Sequence, residues 1–213
     1  MTHPKILLRQ ASATIFAALL PCLGGHAQER CQAFNLETLP KREVRAVWLT
    51  TLSNLDWPKG YATTQEGIER QKRQLTEILD RYAEANINTV LFQARVRATT
   101  TYPSALEPWD RCLTGQEGRA PGYDPLRFAI EECHKRGMEL HAWLATIPCG
   151  PWTSLGCRRL RAKGLRLRKL DGAGYLDPSD ERVAPYLASV CAELTEKYDI
   201  DGIHLDYIRY PDG

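Results

Sequence analysis

A chain of 213 residues, 43% hydrophobic and 25% charged, lies outside the disordered, collagen-like and fibrous classes and can build one good core or somewhat less than one large barrel. Its 28 basic and 26 acidic residues leave a formal charge of only +2, which argues against nucleic acid as a partner.

The first 27 residues read as a separate unit. Lys5 and Arg9 precede an apolar run from Ala11 to Leu23, and Gly25-His26-Ala27 offers the small residues that a signal peptidase requires. The run is too short for a stable transmembrane helix, so no membrane span is expected. Cys22 follows Pro21, where lipidation needs a small residue, and secretion is therefore the better reading than a lipid anchor. Residues 28–40 form a lead-in, and the mature part keeps 26 basic against 26 acidic residues. Six cysteines remain: Cys31, Cys112, Cys133, Cys149, Cys157 and Cys191. In an oxidising compartment disulfides are plausible, with Cys149 and Cys157 the first pair to consider because they flank a short Gly/Pro segment. No two cysteines have the two-residue gap of a zinc knuckle.

From Val44 the chain alternates. A strand from Val44 to Thr50 precedes a helix opened by a capping box of Thr63 and Glu66, with Ile68, Leu75, Ile78, Leu79 and Tyr82 at helical spacing. A second strand, Thr89 to Arg95, precedes a helix from Asp124-Pro125. A third, Glu139 to Ala145, precedes a helix from Asp177-Pro178 or Ser179, and Ile203 to Ile208 supplies a fourth strand. Such alternation predicts right-handed crossovers and a parallel sheet. Links from helix to strand are short, whereas those from strand to helix run through residues 51–63, 96–123 and 146–178. The long loops gather at the carboxyl ends of the strands, where α/β proteins bind ligands.

Strand parity then selects side chains. Gln93 and Arg95, His141 and Trp143, and His204 and Asp206 form alternate pairs near the strand tips, so each pair is expected on one inward face. Phe92, Leu140, Leu144, Ile203 and Leu205 are expected to face covering helices. Arg45 and Trp48 have opposite parity, and the sequence leaves open which points inward.

Eight segments carry a resemblance. They are Arg42 to Thr50, Phe92-Gln93-Ala94-Arg95, Tyr102-Pro103-Ser104 with Glu107-Pro108-Trp109, Leu113-Thr114-Gly115, Pro121 to Leu126, His141-Ala142-Trp143-Leu144, Leu176-Asp177-Pro178, and Gly202 to Pro211. In this order they resemble the glycosyl-hydrolase-like 10 family, which includes envelope enzymes that cut peptidoglycan glycan strands stripped of their peptides. The resemblance implies a (β/α)8 TIM-type barrel of which residues 41–213 hold the first four strands, as expected of a truncated product or a domain excerpt. It also implies a glycoside hydrolase of the periplasm or cell envelope, with a polysaccharide substrate and no cofactor or metal. After His141-Ala142-Trp143-Leu144 the family usually continues Asn-Pro-Tyr-Arg, whereas this chain has Ala145-Thr146-Ile147-Pro148, a departure at the subsite built by the third loop.

Glycoside hydrolysis usually needs two carboxyl groups flanking the scissile bond. Asp206 is the candidate nucleophile or stabilising carboxylate. Arg209 is expected to keep it ionised by charge pairing, and His204 to orient it or to bind a sugar hydroxyl. Trp48, Trp143 and Tyr210 offer flat faces for sugar rings, with Gln93, Arg95 and His141 as further substrate contacts. Glu107, Asp110 and Asp124 make unconvincing second carboxyls, and a helix cap already explains Asp124. The alternatives are a metal-dependent hydrolase using His141, His204 and Asp206, and a non-catalytic glycan-binding protein. Seven basic residues from Arg158 to Lys169 form either a solvated loop face or a basic wall beside the cleft for an anionic polymer.

Overall fold

Four strands of alternate hydrophobic character fix the frame. The computed structural model describes residues 43–210; the expected signal peptide, the lead-in and Cys31 lie outside them. Strands β1 (Ala46–Leu49), β2 (Thr89–Arg95) and β3 (Glu139–Ala145) pair in parallel in chain order, and the last strand, Gly202–Asp206, adds beside β3. Helix α1 (Gln65–Glu84) links the first two strands and α3 (Pro125–Lys135) the next two, after a short α2 (Arg111–Thr114). Leu49, Leu75, Leu79, Phe92, Leu126, Leu140 and Leu144 are fully buried between sheet and helices. Each such side chain contributes roughly 1.5–3 kcal/mol of burial.

Several expected details shift. Helix α1 is capped by Thr64, not Thr63: the Thr64 hydroxyl accepts from the Gly67 N–H at 3.1 Å. Gly67 stands so close to the Tyr61 carbonyl that a Cβ there would approach it to 2.4 Å, and this contact sets where the helix begins. Asp124 caps α3 from the residue before Pro125, as the sequence indicates, accepting from Arg127 N at 3.1 Å.

The third long segment is not a plain loop. It holds β4 (Pro148–Pro151), α4 (Leu155–Ala162), β5 (Leu167–Leu170) and β6 (Ala173–Leu176), whose strands form an antiparallel sheet in the order β4-β6-β5 over a second small core. Asp171 and Gly172 turn β5 into β6 with φ of +48° and +78°, the paired positive values of a tight hairpin. Asp177 therefore does not open the next helix. Its Oδ1 accepts from Ser179 N and Oγ while Oδ2 takes Arg168, and helix α5 begins later, at Val183–Lys197, without a side-chain cap. Residues 202–206 are then β7.

Cys149 and Cys157 lie buried in that second core, where the Cys157 Sγ donates to the Cys149 carbonyl at 3.2 Å. Both are thiols, which corrects the expected disulfide; Cys112, Cys133 and Cys191 are free as well. Leu205 is also corrected, being 42% exposed at the tip of the edge strand β7, whereas Ile203 on the same face packs against the core. Among the described residues no helix is long and apolar enough to cross a membrane.

Two further features hold the strand tips. The pairing of β2 with β3 shifts between Gln93 and Arg95, so that Arg95 aligns with Leu144. From there its guanidinium, with no exposed side-chain surface, makes a bidentate pair with Glu107 at 2.8 and 2.7 Å and donates to the Ala145 and Thr146 carbonyls. Burial alone would lower the proton affinity of Arg95, but the adjacent carboxylate more than offsets it and holds the group above its ordinary value. Burial, then Glu107, raises the Tyr186 phenol, whose hydroxyl donates to the same carboxylate at 2.9 Å. The other feature is Gly202, over which the His141 ring passes so closely that a Cβ would meet Nδ1 at 2.7 Å.

Two stability outcomes follow from these contacts. Glu107→Gln is expected to cost about 3–5 kcal/mol, with Arg95→Met combined with Glu107→Leu regaining most of that loss; urea midpoints at constant m read the difference. Gly202→Ala is expected to cost about 1–3 kcal/mol, because the His141 ring must move aside. A parent-like midpoint in either single variant contradicts the corresponding contact.

Candidate active site at the strand tips

Register places one row of side chains above another on the inward face. Trp48, Leu91, His141 and Gly202 align across the sheet, and Gln93, Trp143 and His204 align in the next row. Ala145 and Asp206 end the series. This settles the first strand: Trp48 points inward, while Arg45 precedes the strand and its backbone N–H bonds the Asn88 side chain.

Trp48 stands edge-on to both Trp143 and His204, with ring centroids 4.7 and 4.6 Å apart and interplanar angles of 80° and 85°. Such pairs contribute about 0.5–1.5 kcal/mol beyond their burial and fix the ring planes. Trp48 keeps 45% of its surface exposed, so an apolar face is open on the inward side of the sheet. The Trp143 indole Nε1–H donates to Asp206 Oδ2 at 3.0 Å, and Tyr207 N–H donates to Oδ1 at 2.7 Å. The Asp206 carbonyl accepts from Thr146 N and Oγ1 at 2.9 and 2.7 Å. Tyr207 adopts φ of +51°, a left-handed conformation unusual for an aromatic residue. Strain of this kind tends to collect where a side chain must be held for function. Asp206 is thus oriented by an indole, a backbone amide and the tip of β3.

The expected site residues divide into three groups and one residue apart, His141. Trp48, Trp143, His204 and Asp206 come together. Arg209 and Tyr210 line a neighbouring cavity of about 250 Å³, and Arg209 stacks over Tyr207 at 5.5 Å instead of pairing with Asp206, so the expected charge pair is not formed. Gln93 and Arg95 belong to the floor. Gln93 is buried, and its Oε1 accepts from Thr50 Oγ1 and from the Thr51 and Leu52 N–H groups, latching the loop after β1. Arg95 is sealed by Glu107, which equally accounts for Glu107 as a structural group. His141 lies lower, beside Glu139 at 3.4 Å, where a carboxylate and not a substrate contact is its neighbour.

Among the described residues no three His, Cys, Asp or Glu side chains gather to hold a metal. The expected ligand set is not assembled, since His141 sits two inward rows below Asp206. The basic run also departs from one of its readings: none of its seven residues lines the 250 Å³ cavity or the larger cavity bordered by Leu52, Tyr61, Arg97, Asp110 and Glu117. Arg161 stacks on Trp152 at 4.1 Å, Lys163 reaches the Leu106 carbonyl at 2.8 Å, and Arg168 pairs with Asp177 at 3.1 Å. Arg97 and Tyr207, which do line the 250 Å³ cavity, escaped the sequence reading because both fall in irregular segments where parity carries no information.

Solved structures share the fold. The maltogenic α-amylase AmyB of Thermotoga neapolitana superposes with a TM-score of 0.52 at 14% identity, covering 79% of this chain and 40% of that one. The GH20 exo-β-N-acetylglucosaminidase of Vibrio harveyi gives 0.51 at 12% identity, covering 82% and 29%. At these identities the likeness carries the fold alone, that of a TIM barrel, to which the four parallel strands contribute part of the wall. Among sequence relatives, glycosyl hydrolase YngK of Bacillus subtilis is 33% identical over 186 residues and glycosyl hydrolase DigH of Escherichia coli K12 is 32% identical over 187. Each match takes in 80% of this chain, which spans 34% of the first relative and 43% of the second. Residues 43–212 match the family described as glycosyl hydrolase-like 10, and with these relatives the match makes the chain a member of that family.

Proposed function

We propose that the protein is a glycoside hydrolase of the periplasm or cell envelope that cuts glycan polymers, peptidoglycan glycan strands in particular, with Asp206 as one of two catalytic carboxyl groups. The observation that carries this reading is the placement of Asp206. It ends a barrel strand at the carboxyl edge of the sheet, held by Trp143 and the Tyr207 amide beside the open face of Trp48. A carboxylate next to flat aromatic faces is what an oxocarbenium-like transition state and a stacked sugar ring require. The other residues ending the parallel strands, Leu49, Arg95 and Ala145, bring no carboxyl group. In this reading the second carboxyl group reaches the cleft from outside the described residues. His204, packed against Trp48, keeps that indole upright and reaches a sugar hydroxyl. The apolar run behind Lys5 and Arg9 supports export.

In the protein expressed with all of its native coding sequence, Asp206→Asn keeps the shape of the side chain and one of the two hydrogen bonds it accepts, from Trp143 or from the Tyr207 amide, and removes its charge. Glycan binding is expected to stay within about twofold, while kcat falls at least about 10³-fold, or roughly 4 kcal/mol of barrier. Reducing ends released from glycan strands measure kcat, and co-sedimentation measures binding. Wild-type-like turnover in the variant removes Asp206 from the chemistry.

A further inference from the structure

The 250 Å³ cavity beside Asp206 has a chemistry of its own. Two arginines, Arg97 and Arg209, line it together with Tyr175, Tyr207 and Tyr210, and no Asp or Glu is among its lining residues. Its volume falls below the roughly 300–1,000 Å³ of drug-sized ligand sites, which suits a single ring better than a chain. Arg97 is exposed, and among the described residues neither guanidinium pairs with a carboxylate. Asp206 accepts from Trp143 and the Tyr207 amide, and four further acids are already committed. Glu107 holds Arg95, Asp110 accepts from Thr99 and Cys112 N, and Asp177 takes Arg168. Glu117 accepts the Leu155 and Gly156 N–H groups at the start of α4. Arg97 and Arg209 thus border the cavity together with three phenol rings, and Arg97 also borders a larger neighbouring cavity lined by the committed Asp110 and Glu117.

An unpaired guanidinium presents a rigid fork of donors matched to a carboxylate, and two of them beside aromatic faces recognise an acidic ring more readily than a neutral one. We propose that this cavity is a subsite for a sugar residue carrying a carboxylate, with Arg97 as the residue that selects the charge. The inference rests on the glycan-hydrolase reading and extends it from the cleft to the neighbouring ring. The carboxylate belongs either to a lactyl ether on a muramic residue or to a uronic acid, and the two present the same group to Arg97.

Calorimetric titration of the protein carrying its full native coding sequence separates these sources. Three oligomers of equal length serve as probes: neutral N-acetylglucosamine, glycan strand with free lactyl carboxylates, and glucuronate. Arg97→Gln is expected to weaken one or both acidic oligomers at least tenfold and to flatten their salt dependence. The neutral oligomer should stay within twofold and the thermal midpoint should not change, since the side chain is exposed. Whichever acidic oligomer loses affinity identifies the source. Arg97→Lys should restore part of the loss by returning the charge without the fork. Equal weakening of all three oligomers, or no weakening of either acidic one, overturns the subsite while leaving the hydrolase reading intact. Failure of all three to bind the wild-type protein overturns both.

Discussion

One buried ion pair ties the functional end of this fold together. Arg95 and Glu107 have side chains with 0% and 1% exposure, and taking both charges out of water costs several kcal/mol per ion. That cost is offset only because the remaining donors and acceptors are satisfied. Arg95 donates to the carbonyls of Ala145 and Thr146, and Tyr186 donates to Glu107. The pair thereby joins the tip of β2, the long loop after it, the tip of β3 and helix α5. Thr146 passes the constraint on, because its amide and hydroxyl hold the carbonyl of Asp206. A hydrophobic replacement could match the stability, but it would not supply the donors that set the β3 tip.

Much of this frame is visible in the amino-acid pattern. The alternation of strand and helix, the short returns to each strand and the Asp124-Pro125 cap all reflect local rules that tertiary packing leaves alone. Parity placed Trp143, His204 and Asp206 on one face, because β3 and β7 pair without interruption. It failed at Arg95, since a one-residue register shift at Ala94 breaks the alternation, and parity cannot show whether a loop closes over a side chain. Gln93 faces inward as expected yet is buried beneath the loop after β1. Nor does parity show that Leu205 lies exposed at the tip of an edge strand.

Other features left weaker traces. The hairpin of β5 and β6 was announced by Asp171-Gly172 between residues of mixed polarity, a turn signal that the surrounding basic residues obscured. Asp177-Pro178 looked like a helix start because aspartate before proline usually is one. Here its carboxylate is taken by Ser179 and Arg168, and the helix begins six residues later. Arg97 had no periodic signal at all, and only the three-dimensional arrangement joins it to Arg209 across one cavity.

In the proposed reading a glycan runs from the exposed indole of Trp48 past Asp206 to the cavity that Arg97, Arg209 and the three tyrosines line. The central claim is that a glycan linkage lies across Asp206. The most direct measurement is a crystal structure of the Asp206→Asn protein, with all of its native coding sequence, soaked with a glycan-strand oligomer. The account predicts density for a glycosidic oxygen within hydrogen-bond reach of residue 206 and a ring against Trp48. An ordered oligomer elsewhere on the protein, with residue 206 untouched, would contradict it.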